Sequence, residues 1–224
     1  MRYMGGKIRI GRKVADVINS FDASSYWEPF CGLFSVGCHV KCAKRTASDE
    51  QPDLILLMRA IQSGWEPPEV VTEELYKSLQ YAEPSALRGF VGFGCSFYGK
   101  FFGGYARDKQ KSNYARMAKT SLLKTVPLLQ GVDFQCVDYR KSQVEGGIIY
   151  CDPPYDASTD YSCGQFDNKK FWDWVRSRQE IVLVSEYVAP DDFEAIWQQP
   201  ITTGMKDKTG HGIHRIEKLF CQKP

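Results

Sequence analysis

Gly147-Ile148-Ile149-Tyr150-Cys151-Asp152-Pro153-Pro154-Tyr155 is the stretch on which the reading of this chain turns. The short apolar run fits a buried strand, and the two prolines end it in a stiff turn. Consecutive prolines fix φ at both positions and remove two backbone donors, so the carbonyls of Asp152 and Pro153 are left as outward-facing acceptors. Together with the Asp152 carboxylate and the Tyr155 ring, the turn offers acceptors for both hydrogens of an exocyclic amine and a face on which a flat ring can stack. Taken alone, it leaves adenine, cytosine and amide substrates open. A proline-rich turn that merely closes a strand is the plain alternative.

Outward from this turn, strand and helix signals alternate. A basic helix is expected over 7–20, a strand over 26–30, a helix over 36–43, a strand over 45–49 and a helix over 52–63. In the last of these Leu54, Leu57, Met58 and Ile61 recur at helical spacing behind Pro52, a good first-turn residue. The alternation breaks at 66–130, where helices are expected at 69–80 and 112–129 around a Gly/Phe-rich irregular patch at 89–106. It resumes with strands at 132–137, 147–151, 180–185 and 215–221 and helices at 167–178 and 191–198. Repeated strand–helix units predict an α/β fold, a mostly parallel sheet covered on both faces. The expected division is a main domain from 1–65 and 131–224, with 66–130 as an inserted lobe.

In such sheets ligands bind outside the carboxyl ends of the strands, where strand order reverses. Three motifs fall at expected strand ends. Glu28-Pro29-Phe30-Cys31-Gly32-Leu33-Phe34-Ser35-Val36-Gly37 supplies a glycine for close backbone approach and a following helix start suited to a carboxylate. Asp49 ends the second strand, about twenty residues on, where a carboxylate can accept both hydroxyls of a ribose. The third is the Asp152 turn itself. A glycine after a strand is often only a turn and an Asp there often only a helix cap; order and spacing together carry the reading.

Composition and charge narrow the classes. With 224 residues, 43% of them hydrophobic, the chain can bury one sizeable core. No run is long enough to span a bilayer and no signal-peptide pattern begins the chain, so a cytoplasmic protein without membrane contact is expected. The eight cysteines show no paired spacing and read as buried free thiols. Cys38, His39 and Cys42, or His211 and His214, lack a second ligand pair at zinc-like spacing, and no metal is expected. Net charge is only +2, but it is uneven: residues 100–124 hold seven cations against Asp108, whereas 50–83 hold seven acids against Arg59 and Lys77. One basic flank and one acidic flank fit a protein that lays one face on a polyanion. The basic flank interleaves Phe97, Tyr98, Phe101, Phe102, Tyr105 and Tyr114, rings able to pack on sugars or bases. Lys100, Arg107, Lys109 and Lys111 are the candidate phosphate contacts.

With Arg2-Tyr3-Met4-Gly5-Gly6-Lys7 added, the set resembles the Dam-like DNA adenine-N6 methyltransferases, in the arrangement where cofactor motifs precede an inserted recognition lobe and the Asp-Pro-Pro-Tyr motif follows it. The resemblance covers nearly the whole chain. It implies a class I S-adenosylmethionine-dependent methyltransferase, Rossmann-like, with a small DNA-recognition lobe, S-adenosyl-L-methionine as cofactor and double-stranded DNA as partner. By resemblance Tyr3 and Lys7 touch the cofactor, as do Glu28, Pro29, Phe30 and Gly32 of the first motif. The ribose contact carries to Asp49, a neighbour of the cofactor adenine to Asp138, and the catalytic turn to Asp152, Pro153 and Tyr155. Arg2 is placed to reach the target's bases. Ser185-Glu186-Tyr187 and Glu217-Lys218-Leu219-Phe220 resemble later family strands and read as structural. The chain departs from the family at Phe34, which stands where a second glycine is expected and bears on how closely the loop approaches the methionine end.

The implied reaction is methyl transfer to N6 of a flipped-out adenine in a GATC-like target, by an enzyme of restriction–modification or phage orphan type that needs no obligatory protein partner. Cytosine-N4 transfer uses a similar turn, more often with Ser for Asp, and protein-glutamine transfer usually has Asn. A catalytically weak DNA-binding protein that keeps the fold is the alternative from another class.

Overall fold

The computed structural model describes residues 1, 3–142, 144, 147–154, 166–206 and 212–223, with backbone only at 203–206, 212 and 213. Tyr155 and Arg2, both expected at the site, and His211 lie outside the described residues.

Among the described residues, seven strands form one sheet: β1 (Ser25–Glu28), β2 (Lys44–Asp49), β3 (Val132–Cys136), β4 (Ile148–Cys151), β5 (Ile181–Glu186), β6 (Phe193–Lys206) and β7 (Gly212–Gln222), in the order β3-β2-β1-β4-β5-β7-β6. The first five are parallel, and β7 runs antiparallel to both β5 and β6. The fold is the Rossmann-like α/β type with a mostly parallel sheet expected from the sequence. The central strand β4 is buried along its whole length. Ile148 and Tyr150 join one core layer, Ile149 and Cys151 the other, and this burial on both faces is why the run is continuously apolar. Among the described residues, six α-helices accompany the sheet: α1 (Gly11–Asn19), α2 (Pro52–Gln62), α3 (Glu73–Leu79), α4 (Ala86–Gly94), α5 (Tyr114–Leu123) and α6 (Asn168–Arg176). Among the described residues, no helix is long and apolar enough to cross a membrane.

Four local expectations are corrected. The helix expected at 36–43 is only a 3-10 turn at Gly37–His39. Helix α1 packs there instead, and the Asn19 amide takes up the backbone that a helix would have satisfied, donating to the His39 carbonyl at 3.3 Å and accepting from the Lys41 N–H at 2.8 Å. The irregular patch at 89–106 begins with helix α4. Its glycines permit close packing rather than a turn: a Cβ on Gly89 would sit 2.3 Å from the Asp53 carbonyl oxygen on α2, and one on Gly92 would sit 2.4 Å from the Phe101 ring. Close contact with α2 at Gly89 and with the Phe101 ring at Gly92 therefore outweighs the ~1 kcal/mol that each glycine costs a helix. The helix expected at 112–129 stops at Leu123, and a separate 3-10 turn containing Pro127 follows.

The helix expected at 191–198 is strand β6. Phe193, Ile196 and Trp197 have helical spacing, but a register shift between Ala195 and Trp197 lets Phe193 and Trp197 face opposite core layers of the same strand. Phe193 packs 4.6 Å from the Trp172 ring. Pro200 is tolerated because β6 is the sheet's edge.

The 66–130 segment shares the main core. Phe90, Val91 and Phe93 of α4 are buried in the same cluster as Leu54 and Met58 of α2. A buried ion pair between Arg88 and Asp53 ties the two helices, and Asp53 also accepts from the Ser85 N–H at 2.9 Å.

Candidate functional site

Strand order reverses between β1 and β4, so a crevice opens at their carboxyl ends. Glu28 ends β1, Asp49 ends β2, and Asp152 directly follows β4. Asp152 is 16% exposed and Pro153 is buried. Into this crevice the N-terminal segment brings Lys7, only 8% exposed, whose Nζ lies 2.7 Å from Asp152 Oδ1 and 3.4 Å from Glu217 Oε1 on β7. Burial works to lower the Lys7 pKa, but the charges and hydrogen bonds of Asp152 and Glu217 outweigh it and hold it above the ordinary lysine value. The ammonium is thus a charged clamp between the turn's carboxylate and a second, fully buried one.

The same segment lays Tyr3 over the glycine loop. Its ring packs 5.1 Å from Phe93 of α4, and its Cε1 lies 3.0 Å from where a Cβ on Gly32 would stand. Gly32 adopts φ +49, a backbone that favours glycine. Its N–H donates to Asp49 Oδ2 at 3.1 Å, while Asp49 Oδ1 accepts from the Gln51 N–H at 3.0 Å. Burial pushes the Asp49 pKa up to about 6 against the pull of these N–H donors. Val137 N donates to the Asp49 carbonyl at 3.1 Å, so the end of β3 and Asp138 are drawn to this edge. Asp138 itself caps the following turn, accepting from the Arg140 N–H at 2.9 Å and pairing with its guanidinium; hydrogen bonding to Arg140 lowers its pKa.

Glu28 is turned inward. Its Oε2 accepts from the Tyr26 hydroxyl at 2.7 Å and the Gly37 N–H at 3.0 Å, bracing both ends of the loop, and burial raises its pKa well above the carboxyl norm. Pro29 is buried beside it, and the half-buried Phe30 ring packs on Tyr139, Phe166 and Phe171 at 5.0, 5.8 and 5.8 Å. Phe34 resolves the departure noted in the sequence. It adopts φ +56, the left-handed backbone its glycine counterpart would favour, and swings its fully buried ring into the core, 5.6 Å from Phe134. The ring therefore leaves the loop's open side clear.

The lobe overturns one charge expectation. Its basic and acidic flanks are not separate faces but fold against each other: Arg107 pairs with Glu73, Arg116 with Glu69 at 3.4 Å, and Lys119 with Glu66 at 3.0 Å and Glu69 at 3.6 Å. Lys100, Lys109 and Lys111 are exposed, as is Arg107, whose guanidinium lies 5.6 Å from the Tyr105 ring centre. Of the rings expected to be available, Phe101, Phe102 and Tyr105 pack against the core, while Phe97 and Tyr98 stand 56% and 53% exposed. Their loop reaches the site through the Met4 N–H, which donates to the Gly99 carbonyl at 3.3 Å.

Glu217 is the residue that sequence reasoning passed over as structural. The signal was available: Glu217 has the parity of Leu219 and Cys221 on β7, the inward face, and an acid buried there requires a cation.

No known family profile matches the chain, and a search of curated proteins finds no match. Solved structures do superpose. A Thermoplasma acidophilum protein aligns over 93% of this chain and 85% of its own, at 11% identity and a TM-score of 0.45. yhhF of Escherichia coli, a candidate methyltransferase, aligns over 96% of this chain and 82% of its own, at 9% identity and a TM-score of 0.40. TrmN of Thermus thermophilus aligns over 99% of this chain at 12% identity and a TM-score of 0.40; the chain spans 52% of TrmN's length. The functional reading rests on the sheet and the site rather than on likenesses of this depth.

Proposed function

We propose that this chain transfers a methyl group from S-adenosylmethionine to N6 of an adenine flipped out of duplex DNA. The observation that carries the proposal is the Asp152 turn at the switch-point crevice, with its carboxylate held by Lys7 from the N-terminal motif. The residues around it fit the cofactor. The Asp49 carboxylate accepts from backbone N–H groups of Gly32, Gln51 and Glu50 and, with four acceptor sites, keeps capacity for a ribose hydroxyl. Gly32 lets the backbone come close, and Tyr3 roofs the loop. When bound, S-adenosylmethionine supplies a methyl already activated on a sulfonium.

The chain's part is to prepare the amine. The N6 lone pair is delocalised into the adenine ring, so N6 is a poor nucleophile until its hydrogens are held away from that geometry. The Asp152 carboxylate and the Pro153 carbonyl accept those hydrogens and shift N6 toward tetrahedral. As the N–C bond forms and the S–C bond breaks, one N6 proton leaves to the carboxylate or to water. Tyr155, outside the described residues, is assigned the stacking face. Because N6 is paired in a duplex, the base must leave the stack to reach this turn.

The test is to express the chain in a methylation-deficient host and map the modified bases in its DNA. N6-methyladenine in a short, GATC-like sequence is expected. N4-methylcytosine, or unmodified DNA from a host holding soluble protein, would refute the assignment.

A further inference from the structure

Beyond the last β5 partner, the final two strands leave the sheet. β5 pairs with β7 only from Leu183↔Cys221 to Glu186↔Lys218, whereas β6 and β7 stay paired through Thr202↔His214 and again at Lys206↔Gly212. Because β5 ends at Glu186, β7 residues 212–217 and their β6 partners form a ribbon past the sheet's carboxyl edge, roughly 20 Å long at ~3.3 Å per residue. That is the edge where Asp152 stands.

The register decides which side chains share a face. Gln199 pairs with Glu217 and Ile201 with Arg215, so all four point to one side of the ribbon. On that side Glu217 meets Lys7, and Lys13 Nζ donates to Gln199 Oε1 at 2.8 Å. The exposed Arg215 guanidinium lies 5.4 Å from the ring centre of Tyr187, the residue after β5. Arg215 on the ribbon and Lys13 against Gln199 thus carry positive charge on this side, and Arg9 and Arg12, near Lys13 in the chain, are exposed as well. Among the described residues none of these four takes part in an ion pair, in contrast to Arg107, Arg116 and Lys119 of the lobe. Unneutralised charge therefore lies on the ribbon's side as well as on the lobe's Lys109 and Lys111. The lobe is tied through α2 to the β2–β3 half of the sheet, and the ribbon rises from the β5–β7–β6 half, with the β1–β4 crevice between.

We propose that the β6–β7 ribbon, with Arg215 at its root and Lys13 beside it, is a second wall of the DNA cleft that grips the duplex backbone across the crevice from the lobe. The proposal rests on the duplex-DNA reading above and adds a contact surface to it. Its chemistry is charge complementarity: exposed cations without acidic partners release counterions when they meet phosphates.

The test is fluorescence anisotropy of a labelled duplex across a salt series, using the full chain, Arg215→Ala/Lys13→Ala, Arg215→Glu and, for the lobe, Lys119→Ala. Thermal melting confirms that each variant is folded. The double variant is expected to lower the slope of log affinity against log salt by about 1.8, at ~0.9 per lost phosphate contact, and to weaken all duplex sequences alike. Arg215→Glu should weaken binding further than Arg215→Ala does, and Lys119→Ala should leave the slope unchanged. An unchanged slope in the double variant, with wild-type binding intact, overturns the ribbon as a wall and leaves the methyl-transfer reading standing. Wild-type protein that ignores duplex DNA, or that prefers a structured RNA hairpin of equal charge, overturns the partner itself.

Discussion

Replacing Lys7 with Ala removes the one cation between two carboxylates, and the structure sets the scale of the damage. At 2.7 Å from Asp152 and 3.4 Å from Glu217, the ammonium contributes about 6 and about 5 kcal/mol of attraction at an effective dielectric near 20. Most of that is offset by the cost of taking three ions out of water, so the intact triad adds little net stability. Deleting the cation alone is different, because Glu217 at 1% exposure keeps its burial and loses this countercharge. Stranding a buried charge costs about 3–5 kcal/mol, and the partial exposure of Asp152 places this case near 3. The variant can recover part of the loss by protonating a carboxyl, so its deficit should shrink as pH falls. In the wild type the sign is the same, but the window lies at higher pH. The Lys7 pKa is raised by folding, so its contribution is complete below the ordinary lysine value and fades only as pH rises through the raised one. Urea unfolding followed by the fluorescence of the five tryptophans measures both. A loss under about 1 kcal/mol at pH 7, or one that ignores pH, would mean that Lys7 does not neutralise this pair.

Three further outcomes are expected. Asp152→Ala should cut methyl transfer at least about a hundredfold while keeping the fold, because Lys7 retains Glu217; near-wild-type transfer of labelled methyl would remove Asp152 from its role. Asp49, with a pKa near 6, should lose its cofactor as pH falls below that value, about tenfold per unit, whereas Asp49→Asn should bind weakly at every pH; calorimetry without a step near 6 in the wild type counts against the ribose contact. The same raised pKa opposes folding, since between pH 3.8 and about 6 the unfolded chain has released a proton that folded Asp49 still holds, so its contribution makes the free protein less stable as pH rises through that window. Phe34→Gly should relieve ~1 kcal/mol of left-handed strain but forfeit the ~3–5 kcal/mol of a buried ring, a net loss of about 2–4 kcal/mol with cofactor affinity unchanged. Tighter cofactor binding in that variant would show that the ring intrudes on the loop.

What the sequence made legible follows from how local each cause is. β4 could be read because burial on both faces writes a continuous apolar run, and α2 because one buried stripe repeats at helical spacing behind a first-turn proline. β6 could not, because its bulge lets side chains at helical spacing serve two core layers of a strand, and only pairing with β7 reveals this. α4 was hidden by its glycines, whose turn signal is local while the α2 surface that Gly89 fits lies some thirty residues earlier. The site divides in the same way. Asp152 and Asp49 were visible as carboxylates at strand ends, a property of their own neighbourhoods. That Lys7 is the cation on Asp152 was not: 145 residues separate them, and family resemblance placed Lys7 near the cofactor, not on the turn. Glu217 was half legible. Strand parity alone puts it inside, and an interior acid must have a positive partner or a proton. Parity cannot choose among the chain's 29 lysines and arginines, and the choice is made by the sheet, which sets β7 beside β5 and the crevice where the N-terminal segment enters. A second carboxylate on the clamp has a chemical consequence: when an amine occupies Asp152, Lys7 still has Glu217 to hold it, so the turn can exchange partners without stranding a buried charge.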